Sequence, residues 1–253
     1  MSGKAADEEE KTQDALFGGR LVLSQSRRGY RYSIDAPILA HFAAGAVREP
    51  MVDLGAGCGV IALILAFKFG LGRITALELQ PGLAALAARN VAANHLEERI
   101  TVFSADLTAV DRLPAASAAG VVCNPPYRGL GTGRVNPATE KALARHELAA
   151  ELPQIVAAAA HLLTAKGRFF IIYPAPRLAA LFSALARGGL EPKRLRPVHS
   201  FAAEDAVLVL VEALKGGGEG LRIEPPLVIY GSEGRYGEEV SSYFEADPDG
   251  GGS

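Results

Sequence analysis

Tryptophan is absent from the 253-residue chain, and cysteine occurs only at Cys58 and Cys123. Two cysteines so far apart, with no C-x-x-C spacing, argue against a disulfide framework or a zinc site and suit a reducing compartment. Neither charge sign dominates. At a formal net charge of −2, any contact with a polyanion has to come from a local patch. No apolar run approaches the roughly 18 residues needed to span a bilayer. The opening "MSGKAADEEEKTQD" lacks the apolar stretch of a signal peptide. These absences lead us to expect a cytoplasmic protein without metal or membrane contact. Nothing in them bears on oligomeric state.

What is present is a chain that is 49% apolar, enough for a full core. Apolar runs of strand length ("MVDLG", "RITALEL", "RITVFSA", "AGVVCN", "GRFFIIY") alternate with alanine- and leucine-rich helical stretches near 60–69, 81–94, 148–163 and 176–187. Continuous rather than alternating apolar strands indicate a parallel sheet covered on both faces. "EPKRLRPVH" and "DAVLVLVEA" have no helix between them and read as a closing antiparallel hairpin. The expected class is α/β, a doubly wound, seven-stranded Rossmann-like sheet. We expect an acidic disordered tail over 1–14, a hairpin–helix extension over 15–48, the main domain over 49–214, a C-terminal extension over 215–240 and a disordered tail over 241–253. Ser33 or Asp35 is expected to cap the helix of the extension, with Pro37 in its first turn.

The first strand ends in "DLGAGCGV", with Asp53, Gly55, Ala56, Gly57 and Gly59. Alternate glycines between strand and helix let a ligand approach the backbone and the helix N-terminus. The dinucleotide spacing G-x-G-x-x-G is not met, because the third glycine comes one residue early. A carboxylate at Asp53 disfavours pyrophosphate but suits a cationic, amino-acid-bearing ligand; S-adenosylmethionine is such a ligand and carries no phosphate. Glu78 ends the second strand, where an acid can accept hydrogen bonds from both ribose hydroxyls. Asp106, ending the third in "SADLT", stands where an adenine amino group can be recognised.

The fourth strand breaks off at "VVCNPPYRGL", since neither proline has a backbone N–H. An aromatic or amide –NH2 is a poor nucleophile because its lone pair is delocalised. Accepting both its N–H bonds, from the Asn124 side-chain oxygen and the Pro125 carbonyl, directs that lone pair at a methyl donor. Pro126 stiffens the turn and Tyr127 can stack on the target ring. No Ser/His/Asp or Cys/His arrangement competes with this reading.

"DLGAGCGV", "ALEL", "SADL" and "NPPY", in that order, resemble the class I S-adenosylmethionine-dependent methyltransferases that act on amino groups. The resemblance implies that Asp53 and the glycine loop hold the methionine end, Glu78 with Leu79 the ribose side, and Asp106 with Leu107 the adenine. Asn124 then borders both cofactor and acceptor. At a finer level "GYRYSIDAPILAHFA", "NPPYRGLGTGRVNPATEKALARHE" and "EPPLVIYGSEGRY" resemble the bacterial tRNA(Val) (adenine-N6)-methyltransferases. That family implies a tRNA partner and a place for Asp35 over the cofactor. Three basic clusters agree with RNA: Arg27, Arg28 and Arg31 interleaved with tyrosines; Arg128, Arg134, Lys141 and Arg145 after the NPPY turn; and Lys193, Arg194 and Arg196. The alternatives are a protein-glutamine methyltransferase acting on release factors, which usually has a helical domain ahead of the glycine loop, and a methyltransferase of another RNA.

Overall fold

The computed structural model describes residues 11–26, 32–104, 114–125, 152–231 and 234–245. An antiparallel hairpin of β1 (Lys11–Leu16) and β2 (Leu21–Ser26) comes first, followed by α1 (Asp35–Ala44). Strands and helices then alternate through β3 (Met51–Leu54), α2 (Val60–Phe69), β4 (Ile74–Glu78), α3 (Pro81–Ala93) and β5 (Ile100–Ser104). β6 (Ala118–Cys123), α4 (residues 152–162), β7 (Leu163–Pro174) and α5 (Leu178–Arg187) continue the pattern. β8 (Leu190–His199) and β9 (Ala206–Lys215) lead to the short β10 (Arg222–Ile223), β11 (Leu227–Val228) and α6 (Glu238–Ser242).

Among the described residues the large sheet has the order β10-β8-β9-β7-β6-β3-β4-β5, and β11 also pairs with β8. Seven long strands carry it, and the two-residue β10 and β11 extend it beyond the seven expected. All pairings are parallel except those of β9, which is inserted antiparallel between β7 and β8. Successive side chains on the strands enter opposite cores. Val122, Phe170 and Ile172 face α1, α2 and the hairpin, whereas Val121, Cys123, Phe169, Ile171 and Tyr173 face α4 and α5. Burial on both sides explains why these strands read as unbroken apolar runs. α2 is buried from Val60 through Ala66, a helix enclosed all round.

Two boundaries differ from the compositional reading. Residues 11–14 lie in β1, held by backbone pairing with β2 and by Gln25 donating to Asp14, because a backbone ladder does not require apolar side chains. At the other end residues 241–245 pack onto the body. Val240 is buried, Tyr243 stacks on His41 at 4.1 Å, and Lys68 Nζ donates to the Glu245 carbonyl at 3.0 Å.

The hairpin is joined to α3 by two amides. Asn90 accepts from Ser24 N–H at 2.9 Å and donates to the Ser24 carbonyl at 3.0 Å. Four residues on, Asn94 does the same with Val22 at 2.8 and 2.7 Å. Residues i and i+4 share a helix face, and Val22 and Ser24 expose their backbone groups on the same strand edge. The two amides therefore act as a third strand for β2, satisfying an edge that would otherwise be open.

Candidate active site

Strand register places the site. Leu54 pairs with Leu77 and Asp53 with Val122. One step beyond the first pair and two beyond the second, Glu78, Gly55 and Asn124 stand level on the adjacent strands β4, β3 and β6. Between β3 and β6 the strand order reverses, and ligands of open α/β sheets bind at such a switch point.

The glycine loop is tied to the end of β4. Gly55 and Ala56 both donate to the Leu77 carbonyl at 2.9 Å, and Gly57 N–H donates to Glu78 Oε2 at 2.8 Å. Glu78 Oε1 accepts from Gln80 N–H, also at 2.8 Å. These bonds use two of a carboxylate's roughly four acceptor positions, so Glu78 can still take a pair of hydroxyls. Gly55, Gly57 and Gly59 all have positive φ, at 78°, 59° and 86°. A Cβ at Gly59 would lie 3.2 Å from the Ala87 side chain, whereas a Cβ at Gly55 would meet nothing within 4 Å. Gly59 thus serves the approach of α3, and Gly55 leaves room for a ligand. Asn90 donates to the Cys58 carbonyl at 2.9 Å, so one side chain holds both the hairpin and this loop.

At the site, two buried oxygens have no hydrogen-bond partner among the described residues: Asp53 Oδ1 and Asn124 Oδ1. Asp53 is fully buried, and its other oxygen accepts from Ala62 N–H in α2 at 3.2 Å. Burial pushes its carboxyl up to about 7, with the Ala62 bond opposing and the Glu78 charge reinforcing. A buried acceptor without a donor is costly, and a cationic amine would relieve it at Asp53 as an –NH2 would at Asn124. The residues present therefore fit S-adenosylmethionine beside an amine acceptor. Pro125 is buried next to Asn124, and Leu79 is 54% exposed beside Glu78, an apolar surface open for a flat ring.

Asp35 is half-buried at the start of α1, and burial raises its carboxyl. Neither it nor Ser33 caps the helix. Ile34 holds the cap position without a side-chain bond, while Ser33 Oγ accepts from Asp35 N–H at 3.4 Å. Pro37 does stand in the first turn. Arg27, Arg28, Arg31, Asp106, Leu107, Pro126, Tyr127, Arg128, Arg134, Lys141 and Arg145 lie outside the described residues.

The third basic cluster is corrected by the structure. Lys193 donates to the Gly218 and Glu219 carbonyls at 2.6 and 2.9 Å. Arg194 pairs with the buried Glu212 at 2.8 Å and lies 3.9 Å from the centre of the Phe42 ring. Arg196 grips Glu239 with two bonds, at 2.6 and 2.7 Å. These cations staple the C-terminal segment and α1 to the sheet. Asn90 was missed in the sequence, although "RNVAANHL" puts one asparagine inside a helix it disfavours and a second one turn later at its C-cap.

No helix among the described residues is long and apolar enough to cross a membrane. The family model described as the methyltransferase small domain matches residues 36–179. A tRNA1(Val) (adenine(37)-N6)-methyltransferase of Porphyromonas gingivalis strain W83 is 31% identical, over 75% of this chain and 76% of its own length. One from Aeromonas hydrophila is 28% identical, over 85% and 89%. Among solved structures, a predicted O-methyltransferase from Agrobacterium tumefaciens superposes with a TM-score of 0.65 at 22% identity, over 84% of this chain and 97% of its own, a likeness of fold. The chain belongs to the methyltransferase small-domain family and, within it, to the group of these tRNA1(Val) (adenine(37)-N6)-methyltransferases, and is an S-adenosylmethionine-dependent methyltransferase.

Proposed function

We propose that the protein methylates N6 of an adenine near the anticodon of valine tRNA, in the cytoplasm; its relatives' names give adenine 37 of tRNA1(Val). The observation that carries this reading is the partnerless Asn124 Oδ1, level with the glycine loop at the switch point. When bound, S-adenosylmethionine would supply an electrophilic methyl on its sulfonium, with a neutral thioether as the leaving group. Asp53 and the loop Gly55–Gly59 hold its amino-acid end, Glu78 and Leu79 the ribose side, and Asp106 with Leu107 the adenine. Asp35 covers the cofactor from α1.

Asn124 Oδ1 and the Pro125 carbonyl accept the two N–H bonds of the target amine. That takes the nitrogen toward a tetrahedral shape and aims its lone pair. Pro126 fixes the turn and Tyr127 stacks on the base. The nitrogen lone pair forms the new N–C bond, and the resulting cation loses a proton to water without a protein base. Arg27, Arg28, Arg31, Arg128, Arg134, Lys141 and Arg145 supply the phosphate contacts.

The test is incubation of the protein with tritiated cofactor and either an unmodified valine-tRNA transcript or a recombinant release factor, followed by nucleoside analysis. N6-methyladenosine in the tRNA is expected. Label in the release factor alone, or in another nucleoside, overturns the reading.

A further inference from the structure

β8 rises above the candidate site. Cys123 is level with Leu195 through Ile171 and Val211, so Arg196 stands level with Asn124, and β8 continues to His199. β11 runs alongside this extension, with Tyr230 N–H donating to the Ser200 carbonyl at 3.0 Å. Tyr230 and Tyr236 then face each other as an antiparallel bridge. Four rings line up in consequence. Phe201 lies 5.5 Å from Tyr230, Tyr230 stacks on Tyr236 at 5.6 Å, and Tyr236 stacks on Phe244 at 5.7 Å.

This ladder is not a core. Phe201 is 39% and Tyr236 44% exposed, although a purely structural stack would gain by covering both rings. Beside it is an open cavity of about 800 Å³ lined by Tyr230, Gly234, Arg235, Tyr236 and Ser241. Open aromatic faces, an arginine and a hydroxyl form a set that suits bases joined by phosphates. Glu239, one of the acids near the ladder, is held by Arg196 and Tyr243. The ladder stands beyond the same end of the sheet as Asn124. β8 is three strand positions away, about 14 Å across the sheet, and Phe201 lies five residues past the level of Asn124, so the two are on the order of 20 Å apart.

We propose that the Phe201–Tyr230–Tyr236 ladder is a stacking platform for unpaired nucleotides of the RNA substrate that flank the methylated adenine. This rests on the RNA reading above and adds where the flanking strand lies. Base stacking tolerates any sequence, so the platform contributes affinity and alignment, and Asn124 retains the choice of nitrogen.

The experiment measures methyl transfer to unmodified valine-tRNA transcript by the full chain carrying Phe201→Ala, Tyr236→Ala, Phe201→Tyr or Tyr236→Phe. Each alanine variant should raise KM for tRNA about tenfold, leave kcat and KM for the cofactor near wild type, and be rescued by the aromatic replacement. Because the chain has no tryptophan, Phe201→Trp provides a single reporter whose fluorescence should be quenched by tRNA. That reading decides the matter even if an alanine variant fails to fold. Unchanged KM for tRNA in both alanine variants, or a reporter blind to tRNA, overturns the platform while wild-type N6 methylation stands. Wild-type transfer to a release factor and to no tRNA overturns the RNA reading, and the platform with it.

Discussion

Glu78 and Asn124 end neighbouring strands at one level, yet the chain treats them differently. Both Glu78 oxygens already accept backbone N–H groups, so the cofactor half of the site is assembled by the protein itself. Asn124 Oδ1 has no such partner among the described residues, so the acceptor half is completed by what binds. A side chain that holds the loop should matter for folding and cofactor affinity. One that waits for substrate should matter for transfer alone.

The largest expected effect breaks the acceptor half. Asn124→Ala should lower methyl transfer by about 10²–10³-fold, comparable to the loss of one positioned hydrogen-bond donor at an oxyanion hole. Cofactor affinity by calorimetry and the melting temperature should stay near wild type, because no bond of the Asn124 oxygen among the described residues is lost. A parallel fall in cofactor binding would mean that Asn124 belongs with Glu78. Second comes Glu78→Ala, which frees the Gly57 and Gln80 N–H groups and removes the carboxylate proposed to hold the ribose. At about 1–3 kcal/mol for each charged bond, cofactor affinity should fall on the order of 10²-fold and stability should fall with it. A lost affinity with intact stability would show that the loop stands without its carboxylate.

The same contrast separates two asparagines, Asn90 in α3 and Asn94 at its C-cap. Asn90 is buried, with three bonds across the hairpin and the glycine loop, whereas Asn94 is half-exposed. Asn90→Ala should cost about 2–4 kcal/mol and Asn94→Ala about 1 kcal/mol, read by thermal denaturation. Only Asn90→Ala should also weaken cofactor binding, since it alone touches Cys58. Equal effects on cofactor affinity would dissolve the link between hairpin and loop.

What could be read in advance follows the range over which each feature is encoded. The glycine loop, the acid ending β4 and the Asn-Pro-Pro turn are local. Positive φ, strand termination and missing N–H groups each leave a residue type at a fixed place. The parallel sheet is also legible, because burial on two faces removes alternation from β3, β6 and β7. The bonds of Asn90 reach 66 residues back to Ser24, and no local pattern marks the partner. Lys193, Arg194 and Arg196 misled for the same reason. A run of cations is visible in a sequence, while Glu212, Glu239 and the carbonyls that occupy it are distant. The polar residues 11–14 joined β1 because its ladder is backbone, which composition does not record.

Asp53 lies between the two cases, with one oxygen bonded and one without a partner, and its effect is the smallest and the most dependent on conditions. Its carboxyl titrates near 7 in the folded chain and near 3.8 when unfolded. The folded state therefore prefers the proton. The apo-protein is spared the cost of a buried charge below about pH 4, and its stability falls as pH rises from there through 7. Asp53→Asn should flatten that part of the profile in denaturant melts. A cofactor ammonium reverses the preference, because it favours the ionised carboxylate. At pH 6 the free protein carries the proton on most molecules and has to release it on binding, whereas at pH 8 it does not. One pH unit either side of the midpoint gives about a tenfold rise in cofactor affinity from pH 6 to pH 8, with proton release measurable by calorimetry in buffers of different ionisation enthalpy. Asp53→Asn should bind more weakly and lose both the slope and the release. An affinity independent of pH in the wild type would place the ammonium elsewhere and leave Asp53 as a prop for the N-terminus of α2, bonded to Ala62.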